Sequence, residues 1–432
     1  MSEEANTEPN TEQTVPVAGH WLVSLAQLDD QQKYIAGLRP EVSYMVEGCA
    51  GSGKSVLSMI KFNQLVQSGK KPVYATMMRG LTDTIICEML QNGDESMRSA
   101  REYIQKRTKR REAKGGTGCP WYFDSTCIGT LHQMPEVNEN ARMKLSGDSL
   151  VLDECQDLAY DDFKKIAAAI YSPICWYGDD DQQLCDNLGG AKKHVRLHEI
   201  FDKCFKAEDD GEKWFKLSWN YRISPNVAKF IDEFQKVVPG ERKPMALFAK
   251  GKSTDKPYLC GYQTLNDEIA SVVEVIKNRG WNNRDGHTTA ILVGGSNQQV
   301  EGMYQNILQS LEKAVGERNA NIERRHGATT RGGNDWVTAD PGAAIVVSTP
   351  LASKGCQFDS VFVLANTFGL KDGHALSLND MNAIHVAMTR SGGELFVFYV
   401  DKIPPAFDQI PLDLYESSVN AVPDDSDSMG LK

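Results

Sequence analysis

Nowhere in this 432-residue chain do 18 apolar residues follow one another, so no membrane-spanning helix is expected. The ten cysteines, at 49, 87, 119, 127, 155, 175, 185, 204, 260 and 356, form no C-x-x-C pair and no Cys/His spacing that closes a tetrahedral zinc site. That excludes a disulfide scaffold and a zinc ribbon, and it fits free thiols in a reducing compartment. Basic residues are in deficit, 47 against 58 acidic ones, for a formal net charge of −11. Any polyanion must therefore be held by a local basic groove against the field of the whole molecule. The first nineteen residues carry four glutamates, no Lys or Arg and no apolar core, which excludes a secretory or transit signal there and points to the cytoplasm. No 20- to 50-residue period recurs, so a solenoid is excluded.

What is present is ordinary globular composition, 41% hydrophobic and 24% charged. Short apolar runs alternate with helical stretches: 42–46, 73–76, 150–152, 174–177, 290–293, 344–347, 361–364 and 395–400. Strands buried on both faces read as such continuous runs, and the interleaved helices supply crossovers, so the expected class is α/β with parallel sheets. Residues 1–19 and 416–432 read as acidic, disordered tails. Between them, two nucleotide-motif groups divide the chain into lobes at 20–215 and 216–415. Polar, glycine-rich stretches stand out at 109–118, 250–256 and 317–342, and the last is long enough for a disordered or functional loop.

Gly48-Cys49-Ala50-Gly51-Ser52-Gly53-Lys54-Ser55 matches G-x-x-x-x-G-K-[ST], between a strand (Val42, Tyr44, Val46) and a helix (Val56 to Val66) closed by Gly69. In that context Gly48, Gly51 and Gly53 let backbone N–H groups wrap phosphate oxygens at a helix N-terminus. Lys54 reaches the β and γ phosphates, and Ser55 ligates Mg²⁺. Leu150-Val151-Leu152-Asp153-Glu154 puts two carboxylates at a strand's C-terminal end, where such sheets bind ligands. Asp153 suits the Mg²⁺ shell, and Glu154 suits the base that deprotonates an attacking water.

With these residues the chain resembles the UvrD/Rep-like superfamily 1 helicases. Asp153-Glu154-Cys155-Gln156-Asp157 has that family's D-E-x-Q-D form, and six further motifs keep its order. Leu28-Asp29-Asp30-Gln31-Gln32 is similar to the adenine-reading Q motif, with Gln32 at the glutamine. Ile128-Gly129-Thr130-Leu131-His132 is similar to G-T-F-H, which touches single strands. Tyr177-Gly178-Asp179-Asp180-Asp181-Gln182 is similar to the motif whose glutamine senses the γ-phosphate. Trp219-Asn220-Tyr221-Arg222 is similar to N-Y-R, whose tyrosine stacks on adenine and whose arginine contacts the γ-phosphate. Ser353-Lys354-Gly355-Cys356-Gln357-Phe358 is similar to S-K-G-L-E-F, and Val386-Ala387-Met388-Thr389-Arg390 to V-A-M-T-R with its second arginine finger. The resemblance implies two RecA-like lobes using ATP and Mg²⁺, with Lys54, Glu154, Gln182, Arg222 and Arg390 catalytic. Gln32, Tyr221 and Gln357 join the nucleotide site, and Thr130, His132 and Thr349 contact the strand.

The chain departs from this pattern in several places. Only 23 positions separate Thr130 from Asp153 and 132 separate Arg222 from Lys354, where full-size members insert accessory domains. The segment after Gln182, Gln183 to Leu188, lacks the usual base-stacking aromatic pair. Gln357 replaces a glutamate, Leu351 a histidine and His385 a tyrosine. Compensation is expected from Arg101 to Lys114, with seven basic residues against two acidic ones, followed by Trp121-Tyr122-Phe123; Lys109, Arg110 and Arg111 are the candidate anchors. The composition favours the plainer reading of this run, a solvated helix face with an aromatic core anchor. The expected function is an ATP-driven 3′→5′ motor on single-stranded nucleic acid, DNA before RNA, working with a protein partner. The alternative is an ATP-driven switch that regulates a partner and unwinds little.

Overall fold

The computed structural model describes residues 23–92, 95–112, 121–141, 143–182, 195–205, 213–238, 244–245, 249–282, 287–295, 297–316, 320, 322–325, 344–369 and 377–419. The first-lobe strands are β1 (Tyr44–Gly48), β2 (Pro72–Thr76), β3 (Thr108–Glu112), β4 (Trp121–Ser125), β5 (Ile128–Thr130), β6 (Ser149–Leu152), β7 (Ile174–Gly178) and β8 (Trp214–Leu217). Those of the second lobe are β9 (Tyr258–Tyr262), β10 (Thr289–Val293), β11 (Ile322–Arg325), β12 (Ile345–Ser348), β13 (Phe358–Leu364) and β14 (Ser391–Val400). The helices are α1 (Asp30–Ala36), α2 (Lys54–Gln67), α3 (Arg79–Cys87), α4 (Arg98–Arg107), α5 (Tyr160–Ala167), α6 (Leu197–Cys204), α7 (Pro225–Gln235), α8 (Leu265–Asn278), α9 (Asn297–Val315) and α10 (Leu378–Met388). Among the described residues no helix is long and apolar enough to cross a membrane.

Two six-stranded sheets result, ordered β5-β2-β6-β7-β1-β8 and β11-β12-β10-β13-β14-β9. Every pairing within them is parallel. The chain is α/β with parallel sheets, as the buried runs required. Alternate residues of one strand enter different cores. Val46 and Val151 pack on one face of the first sheet, Met45, Leu150 and Leu152 on the other. In the second sheet Ala290 and Leu292 face one core, Ile291 and Val293 the opposite one. Each such side chain contributes about 1.5–3 kcal/mol by leaving water, so both faces stabilise the layer.

Local signals set the helix starts. Ser224 accepts a bond from the Val227 amide at 3.3 Å ahead of Pro225 in the first turn of α7. Thr264 with Asp267 and Ser377 with Asp380 form capping boxes on α8 and α10. The sequence boundary near 215 falls inside β8, which pairs with β1; the first sheet therefore extends to Leu217. The acidic segment expected from 416 begins within the fold. The Leu259 amide donates to the Glu416 carbonyl at 2.9 Å, the Glu416 amide to Pro257 at 2.9 Å, and Val419 packs on the second-lobe core. Residues 1–22 and 420–432 lie outside the described residues.

One buried acid makes the second lobe pH-sensitive. Glu268 on α8 is fully buried, and burial pushes its carboxyl up to about 8. Its partner is the Asn366 side-chain amide, 2.8 and 3.2 Å from the two carboxylate oxygens when its nitrogen faces them. The unfolded chain loses this proton near the ordinary 4.5, whereas the fold keeps it to about 8. Stability is thus complete below about 4.5 and declines as pH rises towards 8. Glu268→Gln should remove that decline, a gain at pH 8 of several kcal/mol at about 1.4 kcal/mol for each pH unit between 4.5 and about 8, and raise Tm there. Melting curves from pH 5 to 8.5 test this; parallel profiles for the two proteins would refute it.

Candidate nucleotide site and nucleic-acid interface

The P-loop leaves the C-terminal end of β1 and enters α2. Gly51 and Gly53 have φ of +75° and +90°, a region other residues avoid. A Cβ on Gly51 would lie 2.4 Å from Arg222 Cβ and 2.6 Å from Asn220 Oδ1, because the 220–222 segment packs directly on the loop. The Tyr221 amide donates to the Gly51 carbonyl at 2.9 Å. Lys54 Nζ lies 2.6 and 3.1 Å from the Gly48 and Cys49 carbonyls. Among the described residues buried Ser52 Oγ has no hydrogen-bond partner, which leaves one donor of the loop uncommitted.

The two residues expected to hold the metal meet. Ser55 Oγ donates to Asp153 Oδ2 at 2.6 Å, and Tyr74 Oη donates to the same oxygen at 2.9 Å. A hydroxyl beside one carboxylate, next to a phosphate cradle, is a donor set that suits Mg²⁺, which keeps waters and takes few protein ligands. Among the described residues no cluster of three His, Cys, Asp or Glu offers an all-protein metal cage. Burial, reinforced by the neighbouring Glu154 charge, raises the Asp153 pKa to about 6. Glu154 follows in the left-handed region, at φ 58°. Burial alone would push its carboxyl up, yet Lys354, Lys54 and Arg390 together hold it below the ordinary range. Gln156 Nε2 donates to its Oε2 at 2.6 Å. Environment therefore drives the two adjacent carboxyls apart, Asp153 upward and Glu154 downward, which favours the ionised form of Glu154.

The second lobe reaches into this site through three cations. Arg390, 1% exposed, donates to Gln182 Oε1 at 2.6 Å. Gln182 Nε2 in turn donates to Asp179 Oδ2 at 2.6 Å. Arg222 Nε donates to Gln357 Oε1 at 3.1 Å and its Nη1 to the Thr389 carbonyl at 3.3 Å. Enclosure in the cleft, with Arg390 nearby, pushes the Arg222 pKa down to about 9, still cationic at neutral pH. Lys354 Nζ, fully buried, donates to Asp157 Oδ2 at 2.5 Å and to the Gln182 carbonyl at 2.6 Å, and lies 3.8 Å from Glu154 Oε2. A cavity of about 460 Å³ runs between Lys54, Glu154, Tyr221, Arg222, Gln357 and Arg390.

The expected nucleotide residues thus converge on one cleft. Reasoning from sequence missed the pair Asp157 and Lys354, the bridge Gln156, and Tyr74 beneath Asp153. Asp157 and Lys354 each sit inside a motif, but nothing in a linear chain couples positions 197 apart. Tyr74, within an apolar strand, carried no signal.

The expected strand contacts are spread more widely. Thr130 ends β5 and His132 is exposed just after it; Thr349 directly follows β12, where its Oγ1 accepts from the Ala352 amide at 3.1 Å. The basic run divides. Arg101 to Arg107 lie in α4, but Lys109 to Arg111 lie on β3, so the helix-face reading fails for the three candidate anchors. β3 pairs antiparallel with β4, setting Arg110 opposite Phe123 and Arg111 opposite Tyr122. Lys109 and Arg110 are exposed, whereas Phe123 is buried in the first-lobe core and acts as the aromatic anchor. The side chains of Arg111, Trp121 and Tyr122 and the segment 183–194 lie outside the described residues.

No protein-family model matches this chain, and no curated protein matches it. Solved structures similar to it include the C-terminal domain of a possible DNA helicase from Lactobacillus plantarum WCFS1, at 18% identity over 46% of this chain and 98% of that one, TM-score 0.30. PRRSV helicase aligns at 16% identity over 85% of this chain and 54% of its own, TM-score 0.36, so this chain spans about half of that length. Dbp5 of S. cerevisiae, bound to RNA and ADP BeF3, aligns at 13% identity over 92% and 90%, TM-score 0.46.

Proposed function

We propose that this chain is a Mg-ATP-dependent motor of the UvrD/Rep-like superfamily 1 type that moves along single-stranded nucleic acid, DNA before RNA and 3′ to 5′. The observation that carries this reading is the meeting of Lys354 and Arg390 from one side of the cleft with Glu154 and Gln182 on the other, while Arg222 packs against Gly51 of the P-loop. ATP binds with its phosphates in the loop from Gly48 to Ser55. Ser55 and Asp153 would hold Mg²⁺, which when bound neutralises phosphate charge. Glu154 takes a proton from the attacking water, and Gln182 senses the γ-phosphate. Arg222 and Arg390 stabilise charge on the transferring phosphoryl oxygens, and only in the closed cleft are both in place. Hydrolysis is thereby tied to lobe motion, and motion on a held strand is translocation.

The absence of an aromatic pair in Gln183 to Leu188 favours a second reading, an ATP-driven switch whose closure regulates a protein partner. One assay separates the two. Single-stranded DNA should raise the ATPase rate of the motor and leave the switch unmoved, with RNA as the comparison. Glu154→Gln should retain nucleotide binding and lose turnover by at least about 10²-fold, because the amide keeps the shape but cannot accept the proton. Neutralising Lys109, Arg110 and Arg111 together should lower strand stimulation and flatten its salt dependence while the basal rate holds. A wild-type rate indifferent to every strand tested would sink the motor and leave the switch.

A further inference from the structure

Resting on the nucleotide-hydrolysis reading above, we infer that Lys252 is a nucleotide-binding residue whose ammonium takes an α-phosphate oxygen of the bound nucleotide. Lys252 lies in the polar stretch 250–256, which none of the nucleotide motifs covers. Backbone bonds strap that stretch to the N-Y-R turn. Ala249 bridges to Asn220, the Lys250 amide donates to the Asn220 carbonyl at 2.6 Å, and the Gly251 amide donates to the Ile223 carbonyl at 3.0 Å. Glycine is required at 251, because an added Cβ would sit 2.5 Å from the Ile223 carbonyl carbon and 2.6 Å from the Arg222 oxygen. The Lys250 ammonium, 3.5 Å from the centre of the Trp219 ring and 5.5 Å from that of Tyr221, rests on the two aromatic side chains. The strap fixes where Lys252 starts, and Lys252 lines the nucleotide cavity.

That cavity has a closed end and an open side. Lys54, Glu154, Gln182 and Arg390 are buried at the closed end, whereas Gln27, Tyr221, Lys252 and Gln357 are the exposed part of the lining. Gln32, with Nε2 on the Ser52 carbonyl at 2.9 Å, lies on the first-lobe side of the same cavity. With the γ-phosphoryl group between Glu154 and Arg390 and the base against Tyr221, the ribose and the α-phosphate pass the open side. The α-phosphate is the anion there, and Lys252 is the one cation among those four exposed residues. Gln357 is engaged by Arg222, and Lys354 is spent on Asp157. Among the described residues Lys252 has no hydrogen bond or ion pair, so its charge is uncommitted. A contact to the α-phosphate is as strong before hydrolysis as after it. It therefore adds to binding and leaves the chemical step alone.

The test is competition of AMP, ADP and the non-hydrolysable β,γ-imido analogue of ATP against a fluorescent nucleotide on the full chain with Mg²⁺, beside steady-state kinetics with ATP. Lys252→Ala should weaken all three by about 10-fold, between the worth of an exposed ion pair and that of a buried charge-assisted hydrogen bond. KM for ATP should rise by the same factor, with the loss falling on KM and not on kcat. Lys252→Arg should keep most of the affinity, and Lys252→Gln, which retains the stem without the charge, should match the alanine variant. Lys256→Ala removes an exposed lysine of the same stretch that lies 3.7 Å from Glu416 and outside the cavity, and it should bind all three as the wild type does. A loss seen with the ATP analogue but not with AMP would put the ammonium at a β or γ oxygen and overturn the inference. So would an equal loss in Lys256→Ala, which would mark a general field effect, or a loss carried by kcat. Wild-type affinity in Lys252→Ala would refute the inference alone, whereas a wild-type chain that binds none of the three would refute the function proposed above and this inference with it.

Discussion

Arg222→Ala and Arg390→Ala should each slow hydrolysis at saturating ATP by about 10³- to 10⁵-fold while changing nucleotide affinity far less. The reason is where these guanidinium groups lie. Arg390 is held by the Val386 carbonyl at 3.1 Å and the Thr389 hydroxyl at 3.1 Å, and it projects across the cleft to Gln182. Arg222 is fixed by Gln357 and Thr389 against Gly51 of the P-loop. On the proposed function both are aimed before the phosphates arrive, so their charge would act on the transition state with little reorganisation. Arg390→Lys keeps the charge but not the planar fork that reaches Gln182, and it should restore little of the rate. Single-turnover rates beside fluorescent-nucleotide binding provide the check; equal losses in binding and rate would contradict a role tied to closure.

The second large effect is expected at Lys354. Its ammonium is buried between Asp157, the Gln182 carbonyl and Glu154, all in the first lobe. Breaking a buried pair by removing one partner costs about 3–5 kcal/mol, because the remaining charge stays desolvated. Lys354→Met should therefore favour the open arrangement of the lobes, seen as a larger radius of gyration in solution scattering. It should also move catalysis on the pH axis. Lys354 is the foremost of the cations holding Glu154 below the ordinary carboxyl range, so its loss raises that pKa and shifts the acidic limb of the pH–rate profile upward. Asp157→Asn combined with Lys354→Met should cost less than the two single changes added together, since the partner left behind is then neutral. Additive losses with an unmoved pH profile would show that the pair does no more than hold the lobes' shape.

The amino-acid sequence by itself determined the interior of both sheets. The eight apolar runs legible in it are β1, β2, β6 and β7 of the first sheet and β10, β12, β13 and β14 of the second, which occupy the interior positions. Within these two sheets the four strands that escaped notice, β5, β8, β9 and β11, are the four edges. An interior strand is buried on both faces and shows it as a continuous apolar run. An edge such as Trp214–Leu217 alternates buried with open positions and resembles a loop. The P-loop and the carboxylates Asp153 and Glu154 were legible for a similar reason: a glycine turn and a strand end are local features of the chain. Tertiary structure decided everything that depends on two segments meeting. It set Lys354 against Asp157, turned the amide of Gln32 towards the loop it supports, and placed Lys109 to Arg111 on a hairpin rather than a helix. Charge and hydrogen-bonding groups state what a residue can offer; only packing the two lobes face to face fixes which partner receives it.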